Sequence, residues 1–283
     1  MNRLQQGIGQ GRPLLLPGVH DALSARVAEQ LGFEGLCVGG AAVGITQCAL
    51  PDIGLQSFGE YHASVSRIRS ATELPILLDA EDGFGDAKAV TRTVRSFERL
   101  GISGMILEDL VPLRTGEPVS TVPLDEIGAK LEAALRARAS ADTWIVGRTD
   151  VAHAGRPDEV VARARRFQEI GVDAVLATGL TSLDEMQRLR DSVRLPLIAL
   201  VVETKPWIAP TLAQVEALGY EIVMHAAALM LSVVGATRAS LEALKHGGVA
   251  APNGLQTTLA ALGPLLRTED WRQVDLAARQ GMG

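Results

Sequence analysis

Three carboxylates, Asp79, Glu81 and Asp82, crowd the stretch Pro75 to Asp86, PILLDAEDGFGD. Behind the proline the run is apolar, which reads as a buried parallel strand delivering acids at its carboxyl end. Unpaired acids are rarely buried, so such a strand carries them to a cleft, a cation or both. Asp and Gly are also ordinary turn formers, and a plain turn is the competing reading of this segment taken alone. Comparable ends recur along the chain: Gly39-Gly40 after GLCV, Glu108-Asp109 after GMIL, Arg148 after WIVG, Thr178 after AVLA, Glu203-Thr204-Lys205 after LIALVV, and His225 after EIVM.

Acids gathered on one rim repel each other and raise their pKa values unless a cation is shared. Oxygen ligands without a Cys or His pair beside them suit a hard ion, Mg²⁺ first and Mn²⁺ second. Arg148 has two readings. It forms a structural ion pair with Glu108, or it clamps a substrate carboxylate by two parallel hydrogen bonds. Gly39-Gly40 is a tight turn, or it exposes backbone N–H groups that hold a carboxylate or an enolate oxygen. Asp52, in ALPDIG, reads as a turn residue on its own. His225 is a candidate substrate contact, whereas His20, His62 and His153 have no metal-ligand spacing. Cys37 reads as a small buried strand residue, and nothing near Cys48 lowers its pKa.

The elements that must position these residues alternate between strand-like and helix-like from end to end. Strands are expected at about Leu14–Leu16, Gly35–Val38, Pro75–Leu78, Gly104–Leu107, Trp144–Gly147, Asp173–Leu176, Leu195–Val202 and Glu221–Met224. Helices are expected between them, with Asp21, Ser57, Asp86 and Ser182 as N-caps, and a loop from Gly39 to Leu55. Three helices end alike, in LGFEGLCV, LGISGMIL and IGVDAVLA: a glycine stops each helix and a buried strand follows. About eight such units in about 250 residues predict a (β/α)₈ TIM barrel. A doubly wound sheet would want a glycine-rich phosphate loop after the first strand, where the chain has only LLLPGVHD. The expected division is an N-terminal tail over 1–13, a barrel over 14–246, and a helical extension over 247–283 that packs on the barrel or on a neighbouring subunit.

Composition narrows the function. The 283 residues carry a net charge of −6 and 4% aromatics, with no basic run, which argues against nucleic acid. No run of 18 uncharged apolar residues suggests a membrane span, and the N-terminus has no apolar signal core. Two cysteines are too few for a disulfide framework, so a cytoplasmic location is expected.

Taken together, PGVHDALSARVAEQLGFEGLCVGG, ALPDIG, LPILLDAEDGFGD, GMILED and WIVGRTD, in that order over about Leu15 to Ala243, resemble the isocitrate lyase and phosphoenolpyruvate mutase superfamily. The resemblance implies a (β/α)₈ barrel, Mg²⁺, α-keto-acid or α-hydroxy-acid substrates, and cleavage of C–C or C–P bonds through an enolate. It implies a homotetramer, a dimer of dimers, in which the last barrel helix, here about Ala226 to Lys245, is exchanged between subunits. It makes Asp79 the acid that touches the metal, Asp52, Glu81 and Glu108 the acids that hold its waters, Arg148 the substrate-carboxylate arginine, and Gly39, Gly40 and Ala41 a backbone cradle.

Three departures narrow the reading. The lyases' Cys-Gly-His loop after the fourth strand is replaced by EDLVPLRTGEPVSTVP, which argues against isocitrate or methylisocitrate cleavage. The mutases' histidine after the sixth strand is replaced by Ala177-Thr178-Gly179, and their mobile-loop asparagine is missing. Glu81 stands where the family has aspartate, with Asp82 beside it as the alternative. The short, cysteine-free loop is similar to that of the oxaloacetate decarboxylase branch. The resulting expectation is a Mg²⁺-dependent decarboxylase or C–C lyase acting on oxaloacetate or a related 2-keto or 2-hydroxy dicarboxylic acid, with Arg148, Asp52 and Glu108 catalytic. The alternatives are a phosphonopyruvate or carboxyphosphonoenolpyruvate mutase-type enzyme and a catalytically weak keto-acid binding protein.

Overall fold

The structure is a computed structural model that describes residues 3–8, 11–111, 118–202, 205–248 and 259–280. It divides into two compact units, Met1–Met230 and Leu231–Gly283.

In the first unit the elements run α1 (Arg3–Gly7), β1 (Leu14–Pro17), α2 (Ala22–Gln30), β2 (Leu36–Val38), α3 (Gly40–Cys48), α4 (Phe58–Ala71), β3 (Ile76–Asp79), α5 (Ala87–Arg99), β4 (Gly104–Glu108), α6 (Leu124–Ala137) and β5 (Trp144–Thr149). A 3₁₀ turn (Pro157–Glu159) precedes α7 (Val160–Ile170), and β6 (Ala174–Ala177), α8 (Leu183–Ser192), β7 (Leu197–Val201), α9 (Leu212–Ala217) and β8 (Ile222–His225) follow. The eight strands are all parallel, in the ring order β1-β8-β7-β6-β5-β4-β3-β2. A bridge between Gly18 and Cys37 joins β1 to β2, with the Val19 N–H donating to the Cys37 carbonyl at 2.9 Å. This is the expected TIM barrel.

Alternation along the strands sorts the core into two layers. Leu14, Leu16, Cys37, Leu77, Ile106, Val146, Leu176, Ile198, Ile222 and Met224 fill the inside of the ring. Leu36, Val38, Ile76, Leu78, Met105, Leu107, Ile145, Val175, Leu197 and Val223 face the surrounding helices. The helix starts follow the cap chemistry. Asp21 and Ser57 form capping boxes with Ser24 and Glu60, Asp86 accepts from Lys88 and Ala89, and Ser182 accepts from Glu185.

Two segments differ from expectation. The stretch read as a tail contains α1, whose Leu4 is fully buried within the inner layer. The stretch read as a loop after β2 contains α3, which begins at Gly40 with Gly39 as a cap that makes no side-chain hydrogen bond. Two glycines and no Ser, Thr, Asp or Asn at its start left this helix without the usual signal.

α10 (Ala228–Lys245) continues into the second unit, which also holds α11 (Leu262–Leu265) and α12 (Thr268–Gln280). Residues 249–258 of the expected helical extension lie outside the described residues, as do Glu203 and Thr204 at the end of the seventh strand. Among the described residues no helix is long and apolar enough to cross a membrane.

Candidate active site

β3, β4 and β5 are neighbours in the ring, and their carboxyl ends bring Asp79, Glu108 and Arg148 to one place. Nη1 of Arg148 lies 2.8 Å from Oδ2 of Asp79 and 2.8 Å from Oε2 of Glu108. Two residues further along the strand direction, Asp150 takes the other edge of the guanidinium. Nε donates to its Oδ2 at 3.0 Å, and Nη2 donates to its Oδ1 at 2.9 Å. Thr178, just past β6, donates its hydroxyl to the same Oδ1 at 2.5 Å. Asp150 is fully buried.

The loop after β3 is held from several sides. The Tyr61 hydroxyl donates to the Asp79 carbonyl at 2.7 Å. The Glu108 N–H donates to the Glu81 carbonyl at 3.0 Å, and the Thr93 hydroxyl donates to the Gly83 carbonyl at 3.1 Å. Glu81 and Phe84 sit at φ 55° and 62°, in the left-handed region that side chains other than Asn and Asp seldom adopt. Such backbone persists only where surrounding contacts enforce it, and it concentrates at functional sites. Asp82 is turned away from the acid group: its Oδ2 lies 3.2 Å from Nζ of the buried Lys130, and its Oδ1 accepts the Phe84 N–H at 2.8 Å. The side chain beside the other acids is therefore that of Glu81.

Glu81 also explains Gly40. A Cβ at residue 40 would fall 1.5 Å from Oε1 of Glu81, so the Glu81 carboxylate lies directly over the amino-terminal end of α3. The first residues of α3, Gly40 and Ala41, follow the Gly39 cap, and helix amino termini present free N–H groups and positive potential. Asp52 lies on the exposed loop between α3 and α4, and its charge reaches both Asp79 and Glu81. His225 ends β8, three strands round the ring from β5, and its carbonyl accepts the Gly18 N–H at 2.9 Å. Thus Asp79, Glu81, Glu108 and Arg148 converge, Asp52 and the Gly39–Ala41 segment border them, and His225 stands elsewhere on the rim.

The electrostatics of this group are unbalanced. Burial pushes the Asp79 carboxyl up from its ordinary value, opposed by Arg148 and assisted by Asp150 and Asp52. Burial also pushes Glu81 well up, with Asp79 and Asp52 adding to it. Glu108 is raised well above the usual carboxylate range by burial, against the pull of Arg148 and with repulsion from Asp150 and Asp79. Burial would lower Arg148, but Asp150, Glu108 and Asp79 together hold it well above its ordinary value. Four carboxylates, those of Asp79, Glu81, Glu108 and Asp150, thus share one guanidinium.

An additional cation would relieve that excess. Among the described residues, no three acids, histidines or cysteines are disposed to grip a bare ion. A hydrated divalent ion does not need that arrangement, because Mg²⁺ keeps several waters and is often touched by only one or two carboxylates. The donor set fits that mode: all-oxygen and anionic in excess.

Asp150 was not singled out from the sequence. Its signal was the two-residue period that places it on the same face as Arg148 in WIVGRTD. Cys37 is buried, and burial holds its thiol up at about 12, so it contributes no thiolate.

The phosphoenolpyruvate phosphomutase family profile matches residues 4–245. The chain belongs to this family. It is 35% identical over 223 residues to an oxaloacetate decarboxylase of Chromohalobacter salexigens, covering 77% of this chain and 76% of the relative. Among solved structures, oxaloacetate acetylhydrolase in complex with the inhibitor 3,3-difluorooxalacetate superposes with a TM-score of 0.90 at 27% identity, covering 98% of this chain and 96% of the other. A phosphonopyruvate hydrolase in complex with oxalate and Mg²⁺ superposes with a TM-score of 0.84 at 27% identity, covering 98% and 99%. Membership makes this chain an enzyme of the isocitrate lyase and phosphoenolpyruvate mutase superfamily, and its relatives include carbon–carbon lyases.

Proposed function

We propose that this enzyme is a Mg²⁺-dependent decarboxylase or C–C lyase that acts on oxaloacetate or a related 2-keto or 2-hydroxy dicarboxylic acid through an enolate. The observation that carries the reading is the single guanidinium of Arg148 set against Asp79, Glu108 and Asp150, with Glu81 beside them. The names of the relatives support the substrate. Asp79 would touch the ion, and Glu81, Glu108 and Asp52 would hold its waters; Mn²⁺ could replace it. When bound, the ion supplies Lewis-acid stabilisation of negative charge developing on the keto oxygen.

The chain's own residues do the rest. Arg148 has five N–H groups. Three of them are committed to hydrogen bonds with Asp150 and Asp79 among the described residues. A fourth, on Nη1, faces Oε2 of Glu108 at 2.8 Å, which leaves one N–H, on Nη2, for the carboxylate the substrate keeps. Asp150, itself held by Thr178, locks the guanidinium in plane, so little ordering remains when substrate arrives. The Gly39–Ala41 segment offers backbone N–H groups at the start of α3 to a carboxylate or oxyanion.

The assembly we propose is a homotetramer in the cytoplasm, built by exchange of α10 between copies. In support, α2 leaves Leu23, Val27 and the following Leu31 exposed, and α10 leaves Leu231, Val234 and Leu241 exposed. The residues from 247 on would form a helical extension to the barrel, and light scattering reads the oligomeric state.

The test is CO₂ release from oxaloacetate above the background of metal alone. It should disappear with EDTA and in Asp79→Ala, and release no faster than background would overturn the reading. The similarity to phosphonopyruvate hydrolase keeps C–P chemistry as the second reading, and consumption of phosphonopyruvate in place of oxaloacetate would establish it.

A further inference from the structure

β3 is tied unequally to its two neighbours. Toward β4 the pairing runs on to Asp79–Ile106, and past it the Ala80 N–H donates to the Ile106 carbonyl at 2.8 Å. Toward β2 the pairing ends one residue earlier, at Val38–Leu78. Beyond that point β2 turns into the Gly39 cap of α3, and β3 delivers Asp79 and then Glu81. Glu81 leans back over the start of α3, where a Cβ on Gly40 would meet it. The acids proposed for the ion and the backbone cradle therefore lie on either side of the point where these two strands part.

A side chain from outside the ring closes this point. Tyr61, on α4, is fully buried, and its hydroxyl lies 2.7 Å from the Asp79 carbonyl and 3.4 Å from the Val38 carbonyl. A phenol has a single proton to give, so the short contact to Asp79 is the hydrogen bond, and the Val38 carbonyl stands at the outer limit of one. The ring is held in turn. It packs against Phe84 and Phe97, with centroids 5.9 Å away in both cases, and the Ser57–Glu60 capping box fixes the first turn of α4 just before it. The carboxylate of Asp79 is fixed separately: Oδ2 faces Nη1 of Arg148 at 2.8 Å, and Oδ1 accepts the Glu81 N–H at 3.3 Å. The Tyr61 bond fixes the backbone from which that carboxylate hangs.

We infer that Tyr61 is a positioning residue for the metal site: its hydroxyl holds the end of β3 against β2 and so sets the spacing between the carboxylates of Asp79 and Glu81 and the amino-terminal end of α3. The inference rests on the assignment of those acids to Mg²⁺ above, and not on the identity of the substrate. Without the hydroxyl, the Asp79 carbonyl loses its donor in a buried place, and the acid loop keeps its ties to β4 alone while its tie toward β2 is gone. A metal site is sensitive to such support: removing a group that orients a ligand weakens binding by about 10- to 100-fold. A hydrogen bond that serves the fold alone lowers stability and leaves the affinity for the ion unchanged.

Calorimetric titration of the metal-free protein with Mg²⁺ tests this on the wild type, Tyr61→Phe and Tyr220→Phe, with thermal melts in EDTA to show folding. Tyr220 is the control: its buried hydroxyl also donates to a backbone carbonyl, that of Met186 at 3.0 Å, outside the acid group. Tyr61→Phe should raise the Mg²⁺ dissociation constant about tenfold, and Tyr220→Phe should leave it at the wild-type value. Both should melt lower in EDTA, because each strips a carbonyl of its donor. Where Tyr61→Phe melts too low for titration, the rise in melting temperature that Mg²⁺ produces, smaller in Tyr61→Phe than in Tyr220→Phe, reads the same difference. An unchanged constant in Tyr61→Phe, or an equal rise in both variants, would overturn the inference and leave the metal assignment standing. A wild type that takes up no Mg²⁺ would overturn both. CO₂ release from oxaloacetate, measured in parallel, keeps the substrate apart: no release, with Mg²⁺ binding weakened only in Tyr61→Phe, sinks the decarboxylase and leaves Tyr61 in its role.

Discussion

Two buried guanidiniums, those of Arg148 and Arg163, lie fifteen positions apart in sequence and do opposite things. Arg163, on α7, meets one carboxylate closely: Nη1 lies 2.8 Å from Oδ2 of Asp109, Nη2 donates to the Val122 carbonyl at 2.9 Å, and the half-exposed Glu159 stands off at 3.9 Å. Asp109 spends its other oxygen on the Asp150 N–H at 2.8 Å. That pair is balanced in charge, and only the buried Nε of Arg163 is left without a hydrogen-bond partner in it. Arg148 meets three carboxylates, with Glu81 beside them, and remains overdrawn. Balance suits a group that holds the fold, and excess is what the proposed cation would relieve. Both acids of the adjacent pair Glu108-Asp109 are buried, so burial alone does not separate the roles; the number of charges facing each arginine does.

The largest effect that tests this contrast is Asp79→Ala. If Asp79 touches the ion, oxaloacetate turnover should fall by about 10³-fold or more, about 4 kcal/mol of transition-state stabilisation. Stability without metal should hold or rise, because one surplus acid has gone. Arg163→Ala should reverse the pattern. Removing one partner of a buried pair strands the other charge and costs about 3–5 kcal/mol, read in a urea melt. Loss of stability in the first variant, or loss of turnover at full stability in the second, would break the comparison.

Residues that pair locally were legible in the sequence, and those fixed from a distance were not. The barrel could be read because each strand is a short apolar run and several helices announce their start with Asp or Ser, as at Asp21 and Ser57, or their stop with Gly, as at Gly171. Asp79, Glu108 and Arg148 could be read because they sit at strand ends that parallel pairing must align. The choice between Glu81 and Asp82 depended on Lys130, which is 48 positions away and claims Asp82. α3 was invisible because its cap is a glycine and its contacts are tertiary. Asp150 was visible in principle, one strand period past Arg148, but its burial and its bond to Thr178 depend on β6.

The acid excess also sets the direction of the pH response. Burial and mutual repulsion raise the carboxyls of Glu81 and Glu108 well above 4.5 in the folded protein. A group whose folded value is raised contributes stability that is complete below its unfolded value and is lost as pH rises through its folded value. The metal-free protein should therefore lose melting temperature as pH rises above about 4.5, the unfolded carboxylate value. If Mg²⁺ is held by the ionised acids as proposed, its stabilising effect should grow over the same interval. Melts in EDTA and in Mg²⁺ across that range test this, and parallel curves would show that the acids and the ion do not share a site.

The smallest expected effect isolates Glu81 from the rest of the group. A methyl group at residue 40 would fall 1.5 Å from Oε1 of Glu81, and the three heavy atoms nearest to it all belong to that side chain. Gly40→Ala therefore pushes one carboxylate aside and touches little else. Residue 40 is in helical conformation, so the backbone accepts alanine, and alanine favours a helix more than glycine does. The fold should keep its melting temperature in EDTA, while the Mg²⁺ needed for half-maximal turnover should rise about tenfold, as when a residue supporting a metal is displaced. If that requirement is unchanged, Glu81 merely fills space beside α3, and the surplus charge around Arg148 rests on Asp79, Glu108 and Asp150 alone.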